Sequence, residues 1–200
     1  MPANIDGWIL CGGEGRRMGG QDKGLLTWQD APLALHVARR MTPQVRHITL
    51  NANRHLDDYG RWGWPVQPDD ADLPEKTGPL TGMLTGLRHA QGDWVQFSPC
   101  DSPALPPDLT HRLWQAAQEA NALIAVPCSI DAATGEQWHH WTAALAHRDT
   151  REALQQMIGQ SERRVGQWIR ACPWIGVCFE RPEDFININT PETLHGSPRQ

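Results

Sequence analysis

The sequence predicts an α/β protein built on a mostly parallel central sheet. Two observations carry this. Short apolar runs alternate with amphipathic segments along the chain, the pattern of strand-helix-strand units. The stretches after several of those runs concentrate glycine, asparagine and aspartate, which turn a chain beyond a strand end. With 200 residues and 40% apolar content the chain can fill one core, whereas two full domains would each be small. One domain is expected over 1–195, with 196–200 as a frayed tail.

The first strand is expected at 7–11, where an apolar run follows Gly7. A helix over 33–41 repeats apolar residues at helical spacing, and a strand at 47–51 follows it. A short strand at 64–66 precedes a helix over 80–89. The run at 94–99 reads as a strand, and the helix over 108–120 begins beside Pro107, where a helix start tolerates proline. Strands at 123–126 and 142–146, helices over 150–158 and 162–170, a strand at 174–179 and a short one at 185–188 complete the order. Pro191 marks another helix start.

Composition removes several function classes. A formal charge of -5 offers no general attraction to polyanions, so nucleic acid is not an expected partner and any phosphate must be held by local donors. No apolar run has the length of a membrane span, and no basic segment precedes the hydrophobic stretch at 8–11, so a cytoplasmic protein is expected. Five cysteines, odd in number and without a CxxC pair, argue for reduced thiols rather than disulfides or zinc. Of the ten tryptophans, Trp8, Trp28, Trp94, Trp168 and Trp174 sit in or beside apolar runs and read as packing.

The segment 10–24, Leu-Cys-Gly-Gly-Glu-Gly-Arg-Arg-Met-Gly-Gly-Gln-Asp-Lys-Gly, holds six glycines, which let backbone N–H groups converge on an anion. It is not a Walker A loop, because Gln21 follows Gly20 where lysine is required. It is not a dinucleotide fingerprint either, because Met18 stands where the third glycine belongs. With Arg16, Arg17 and Lys23 it suits a triphosphate rather than a surface loop of solvated charges, since turn chemistry alone does not explain a glycine-dense, cation-bearing loop directly after a first strand.

Asp101, at the end of the run 94–99 and between Pro99 and Pro103, is placed either to hold Mg2+ or to cap the turn that follows. Asn51, Asn53, Asp69 and Asp70 follow the second and third strands. Asp69 can accept both N–H groups of guanine's Watson–Crick edge, or serve as an ordinary turn residue. Asn187 and Asn189 would share one face of a strand, as a polar grip or as a strand end before a helix cap. The segment 138–141 (Trp-His-His-Trp) has no carboxylate at ligand spacing and reads as a surface loop or strand edge. Ser98 and Ser102 lack a nucleophile-elbow context.

Taken together, these motifs resemble the molybdenum cofactor guanylyltransferase (MobA) family. The first loop is similar to its Leu-Ala-Gly-Gly-x-x-x-Arg-Met-Gly-x-x-Asp-Lys signature, with Cys11 in the alanine position and a thiol thereby expected near the phosphates. The similarity continues at 51–54, 78–83, 99–103, 162–165 and 187–192. The resemblance implies a three-layer, Rossmann-like nucleotidyltransferase fold. It implies transfer of GMP from GTP to the terminal phosphate of Mo-molybdopterin, with Mg2+, or Mn2+ in its place, as cofactor.

By the same resemblance Lys23, Asp101 and Arg17 are catalytic, and Leu10, Cys11, Gly12, Lys23, Asn51, Asp69 and Asp101 contact GTP, Asp101 also holding the metal. Arg17, Gly20, Arg164, Asn187 and Asn189 fall on the molybdopterin side, with Arg163 and Arg164 unranked. Other molybdenum cofactor biosynthesis proteins and acceptor molybdoenzymes are implied partners. A CTP-dependent molybdopterin cytidylyltransferase or a sugar-phosphate nucleotidyltransferase would share the loop and strand-end aspartate, and a non-catalytic delivery protein is the alternative from another class.

Overall fold

The structure, a computed structural model, describes residues 4–12, 21–74, 77–131 and 134–189. Along the chain, β1 (Ile5–Leu10) leads to a small hairpin, β2 (Thr27–Trp28) and β3 (Ala31–Pro32), and into α1 (Leu33–Met41). Then come β4 (Ile48–Asn51), α2 (Leu56–Gly60), β5 (Val66–Gln67), α3 (Pro79–His89), β6 (Trp94–Pro99), α4 (Leu109–Ala120) and β7 (Ile124–Ile130). β8 (Gln137–His139), β9 (Leu145–His147), α5 (Arg151–Gly159), α6 (Val165–Arg170) and β10 (Trp174–Phe179) complete the order.

The main sheet runs β10-β7-β9-β6-β1-β4-β5, with β8 also on β7. All neighbours are parallel except β9, antiparallel to both β6 and β7, and β8, antiparallel to β7. β1 is buried along its whole length because it has a strand on each side and helices on both faces. Its alternating side chains divide the core: Ile5 and Ile9 pack with α1 and α4, while Trp8 and Leu10 pack with α3, α5 and α6. The result is the three-layer architecture.

α1 buries Leu33, Ala34, Val37, Ala38 and Met41, one face of a helix, and carries Arg39 and Arg40 in its last turn, where they favour the helix dipole. Each large apolar side chain on that face contributes about 1.5–3 kcal/mol. α3 is buried from Leu80 through Leu87. It starts after Gly78, whose φ of 70° only glycine adopts cheaply, with Pro79 in its first turn. Glycine lets this helix lie hard against the sheet: a Cβ on Gly86 would come within 2.8 Å of Phe97 and 3.0 Å of Trp8.

Two expected strands are corrected. At 142–146 the chain makes a 3-10 turn (Trp141–Ala143), and the strand is Leu145–His147. Buried Gln96 fills the interruption, donating from Nε2 to the carbonyls of Ala143 and Phe97 at 2.9 and 2.8 Å. At 185–188 there is no strand: Pro182–Phe185 is a 3-10 turn, and one backbone bond, from Ile188 N to Asp101 O at 2.8 Å, ties the following segment down. Phe185 is apolar because it packs edge-on to Phe179 and stacks on His140, not because it alternates in a ladder. The last long helix begins at Val165 rather than 162, since Glu162 accepts from the backbone N–H groups of Arg163 and Arg164 in a turn. Among the described residues, no helix is long and apolar enough to cross a membrane.

His140 supplies a pH prediction. Its ring lies against Phe185 at 4.3 Å between centroids, and Nε2 meets Ser129 Oγ at 2.9 Å. Burial, then the charge of His139, pushes its pKa down to about 4. The unfolded chain protonates this residue near 6.5, so between about 6.5 and 4 it binds the proton that the folded state refuses. Stability should therefore fall as pH drops through that window and level off below it. After allowance for the solvent that still reaches the ring, about 1–2 kcal/mol is at stake. Urea denaturation at pH 7 and pH 4 should show this slope in the native protein and a smaller one in His140→Gln; equal slopes would refute the assignment.

Candidate functional site

The ends of the three central strands are level. Leu10 stands opposite both Asn51 and Pro99 in the ladder. The register carries one residue further, with Cys11 N donating to Asn51 O at 2.8 Å and Cys100 N to Leu10 O at 3.1 Å. The chain order reverses at β1, with β4 on one side and β6 on the other, which opens a crevice where α/β sheets bind ligands. Gly12, the segment 52–53 and Asp101 emerge side by side at that crevice.

On the β6 side, Lys23 Nζ is 3.2 Å from Asp101 Oδ2 and also donates to Asn189 Oδ1. Asp101 is buried, at 9% exposure. Its backbone carbonyl holds Ile188, and the next residue, Ser102, donates from Oγ to Asn187 Oδ1 at 2.7 Å. Asn187 and Asn189 thus flank one anchor and serve different protein partners, in a segment that is not a strand. The three residues at 23, 101 and 189 come from distant parts of the chain, brought together by the strand ends and the tethered 186–189 segment.

On the β4 side, Asn51 is buried and donates from Nδ2 to Asp69 Oδ1 at 2.9 Å and to Gln67 O at 3.0 Å. Asn53 donates to Asp69 Oδ2 at 2.9 Å and accepts from Asp69 N at 2.8 Å, and Thr81 Oγ1, from α3, donates to the same Oδ2 at 3.0 Å. Three of the carboxylate's roughly four acceptor positions are therefore filled, so a two-donor grip on guanine requires Asn53 or Thr81 to let go. Gly12 faces Asn53, since a Cβ there would lie 3.5 Å from its Nδ2. Gly82 of α3 is needed here as well: a Cβ would overlap Asn51 Oδ1 and lie 3.1 Å from Leu10 Cδ2.

The Cys11 thiol does not open onto the crevice. It is buried in the core on the α1 side together with Cys100. Its hydrogen bond with Cys11, then burial, pushes the Cys100 thiol well up, so Cys100 is no ready thiolate. All five cysteines are free, with Cys11, Cys100 and Cys128 buried and Cys178 exposed.

Asp70 is structural: it pairs with Arg88 at 2.9 Å and His89 at 2.7 Å. Burial alone would raise its carboxyl, but hydrogen bonds from those two residues bring it below the usual range. Arg164 is engaged by Glu162 through Nε and Nη2, both at 3.0 Å, with its side chain largely exposed. Its bonds bring the Glu162 carboxyl down to about 2. Arg16, Arg17 and Gly20 lie outside the described residues, as do 190–192 and the tail.

Thr81, Asp22 and Tyr59 join the site without a sequence reading of their own, and Ser102, which lacks a nucleophile-elbow context, enters it as a tether. Thr81 and Ser102 lie inside the motif blocks at 78–83 and 99–103, a signal that could have flagged them.

Among the described residues no group of three or more His, Cys, Asp or Glu could cage a metal ion. The donor set fits Mg2+, which takes one or two carboxylates and completes its shell with water and substrate phosphates. Asp101 would supply that carboxylate.

A mostly parallel sheet between two helical layers, with a lysine–aspartate pair beside its switch-point crevice, is the architecture of a ligand-binding α/β protein. The sequence profile of the MobA-like NTP transferase domain matches residues 7–173, and the chain belongs to that family. It is 40% identical over 196 residues to a molybdenum cofactor guanylyltransferase of Ralstonia pickettii, covering 96% of this chain and 95% of that one. A relative of the same name from Haemophilus influenzae is 37% identical, with 97% of each chain covered. In three dimensions, the molybdopterin-guanine dinucleotide biosynthesis protein A of Archaeoglobus fulgidus superposes with a TM-score of 0.76 at 20% identity, over 94% of each chain.

Proposed function

We propose that the chain transfers GMP from GTP to the terminal phosphate of Mo-molybdopterin, releasing pyrophosphate and forming the guanine dinucleotide cofactor. The observation that carries the reading is the meeting of Lys23, Asp101 and Asn189 at the level ends of β1 and β6, in a chain so similar along its length to molybdenum cofactor guanylyltransferases.

An oxygen of the molybdopterin phosphate attacks the α-phosphorus of GTP, and the bond to the bridging oxygen breaks, sending its electron pair to pyrophosphate. The nucleophile is already anionic at neutral pH and needs no general base, in keeping with a site that pairs a lysine and a carboxylate rather than a base and a hydroxyl. The task is to hold two anions together and to meet the charge that builds on the leaving group. Lys23 Nζ, presented by its two acceptors, serves that purpose with Arg17. Asp101 would hold Mg2+, which would neutralise phosphate charge. Asn51, Asn53 and Asp69 face the base, and Asn187, Asn189 and Arg164 face molybdopterin.

Pyrophosphate release should be measured with GTP, CTP, ATP and UTP in the presence of Mo-molybdopterin and Mg2+. GTP is expected to exceed the others in kcat/KM by about 10²-fold or more, the discrimination available to a site with buried hydrogen-bonding groups. Equal use of CTP would overturn the guanine assignment, and GTP binding without turnover would make the chain a carrier.

A further inference from the structure

We infer that Asp22 and Tyr59 form a positioning latch for Lys23, which rests on the reading of Lys23 as the lysine that meets the triphosphate. Asp22 is buried, at 7% exposure, and caps the single 3-10 turn Lys23–Leu25, its Oδ1 accepting from Gly24 N at 3.1 Å. The same oxygen accepts from the Tyr59 hydroxyl at 2.6 Å. Tyr59 is wholly buried and reaches this point from α2, a helix with no other residue in the site.

Glycine at position 24 is what admits the phenol: a Cβ there would overlap the Tyr59 hydroxyl and lie 3.1 Å from its Cζ. A buried carboxylate is costly without donors, and Asp22 has two on one oxygen. Burial, then Cys11, Cys100 and Asp22 nearby, raises the phenol far above its ordinary pKa, so Tyr59 remains a donor at every working pH.

Lys23 is therefore held at both ends. Its backbone begins a turn fixed by Asp22 and Tyr59, and its ammonium lies between Asp101 and Asn189. A charge that acts on a transition state must be placed before the reaction, and a displacement of about 1 Å can cost 10²-fold. Tyr59 is buried out of a ligand's reach, so its contribution passes through the residues it positions, through Asp22 to Lys23.

The test is a double-mutant cycle on the full chain, reading pyrophosphate release from GTP with Mo-molybdopterin. Tyr59→Phe keeps the ring and removes one hydroxyl. It should lower kcat about tenfold and leave KM for Mo-molybdopterin within about twofold. In a Lys23→Met background the same change should cost less than about twofold, because the group it positions is gone. A merely structural tyrosine would cost the same in both backgrounds, and that result, or native kcat in Tyr59→Phe, would overturn the latch. Asp22→Asn, which keeps the accepting oxygen, should retain most of the activity that Asp22→Ala loses; equal loss in both would also overturn it. Should the native chain fail to turn over GTP at all, the proposed function falls. The latch is then decided by the crystal structure of Tyr59→Phe, or of Asp22→Ala if that variant alone folds. Lys23 Nζ displaced from Asp101 supports it, and Nζ unmoved refutes it.

Discussion

Asp101→Ala is expected to lower pyrophosphate release from GTP by at least about 10³-fold while leaving the fold in place. Removing its carboxylate takes away the anion that faces Lys23 and, on the proposed function, the group offered to Mg2+ in the same step. Among the described residues no cluster of acidic, histidine or cysteine side chains stands ready to replace it. The fold should survive because the tether at this position does not use the carboxylate: Ile188 N donates to the Asp101 carbonyl, and Ser102 Oγ to Asn187 Oδ1. The lost ion pair is partly exposed and contributes about 1 kcal/mol. The measurements are turnover, Mn2+ binding by electron paramagnetic resonance, and thermal unfolding. Normal magnesium-dependent turnover in the variant would sink the assignment, whereas a collapsed unfolding transition would show that the carboxylate is structural.

How far the sequence foretells this site depends on how local each part is. α1, β6 and β10 occupy the residues expected of them, because an apolar run or helical repeat bounded by turn residues is a local property. Asp101 was legible for a similar reason: it follows a buried run, and in an open α/β sheet that position faces the crevice. Strand order is not local. β9 inserts antiparallel between β6 and β7, and nothing in its three residues announces its neighbours.

The misread segment at 185–188 shows the opposite error. Its apolar spacing is real, but it records packing of Phe185 on Phe179 and His140 rather than a ladder. α2 carries no sequence signal because five residues give no periodicity, and its N-cap, His55, sits at φ 53°, a conformation the sequence does not signal. Tyr59 is hidden with it. Its value lies in one bond to a residue far back in the chain, and such pairings appear only when the fold brings the elements together. The place of Asp69 just beyond the third strand of the parallel set is legible, but its three donors, from Asn51, Asn53 and Thr81, are not. They change its reading from a free acceptor to an occupied hub.

Lys23→Met should separate the two members of the central pair, because its effects on catalysis and on metal binding are expected to have opposite signs. Loss of the ammonium removes a positive charge from the face that meets the triphosphate, and kcat should fall by about 10²–10³-fold, the scale of deleting one preorganised donor. In the free protein, however, the same ammonium lies 3.2 Å from Asp101 Oδ2 and competes with any cation for that carboxylate. Without it, Mn2+ should bind the protein about 3–10-fold more tightly in the absence of GTP. Asp101→Ala, by contrast, should lower both turnover and metal affinity. Asn189 sharpens the comparison: once Lys23 is methionine, its Oδ1 loses the donor it now accepts from. The tether of the 186–189 segment through Ile188 and Asn187 should nevertheless hold, and the unfolding temperature should change little. Mn2+ affinity that falls in Lys23→Met would mean that the lysine organises the metal site rather than competing for it, and the division of labour between Lys23 and Asp101 would have to be redrawn.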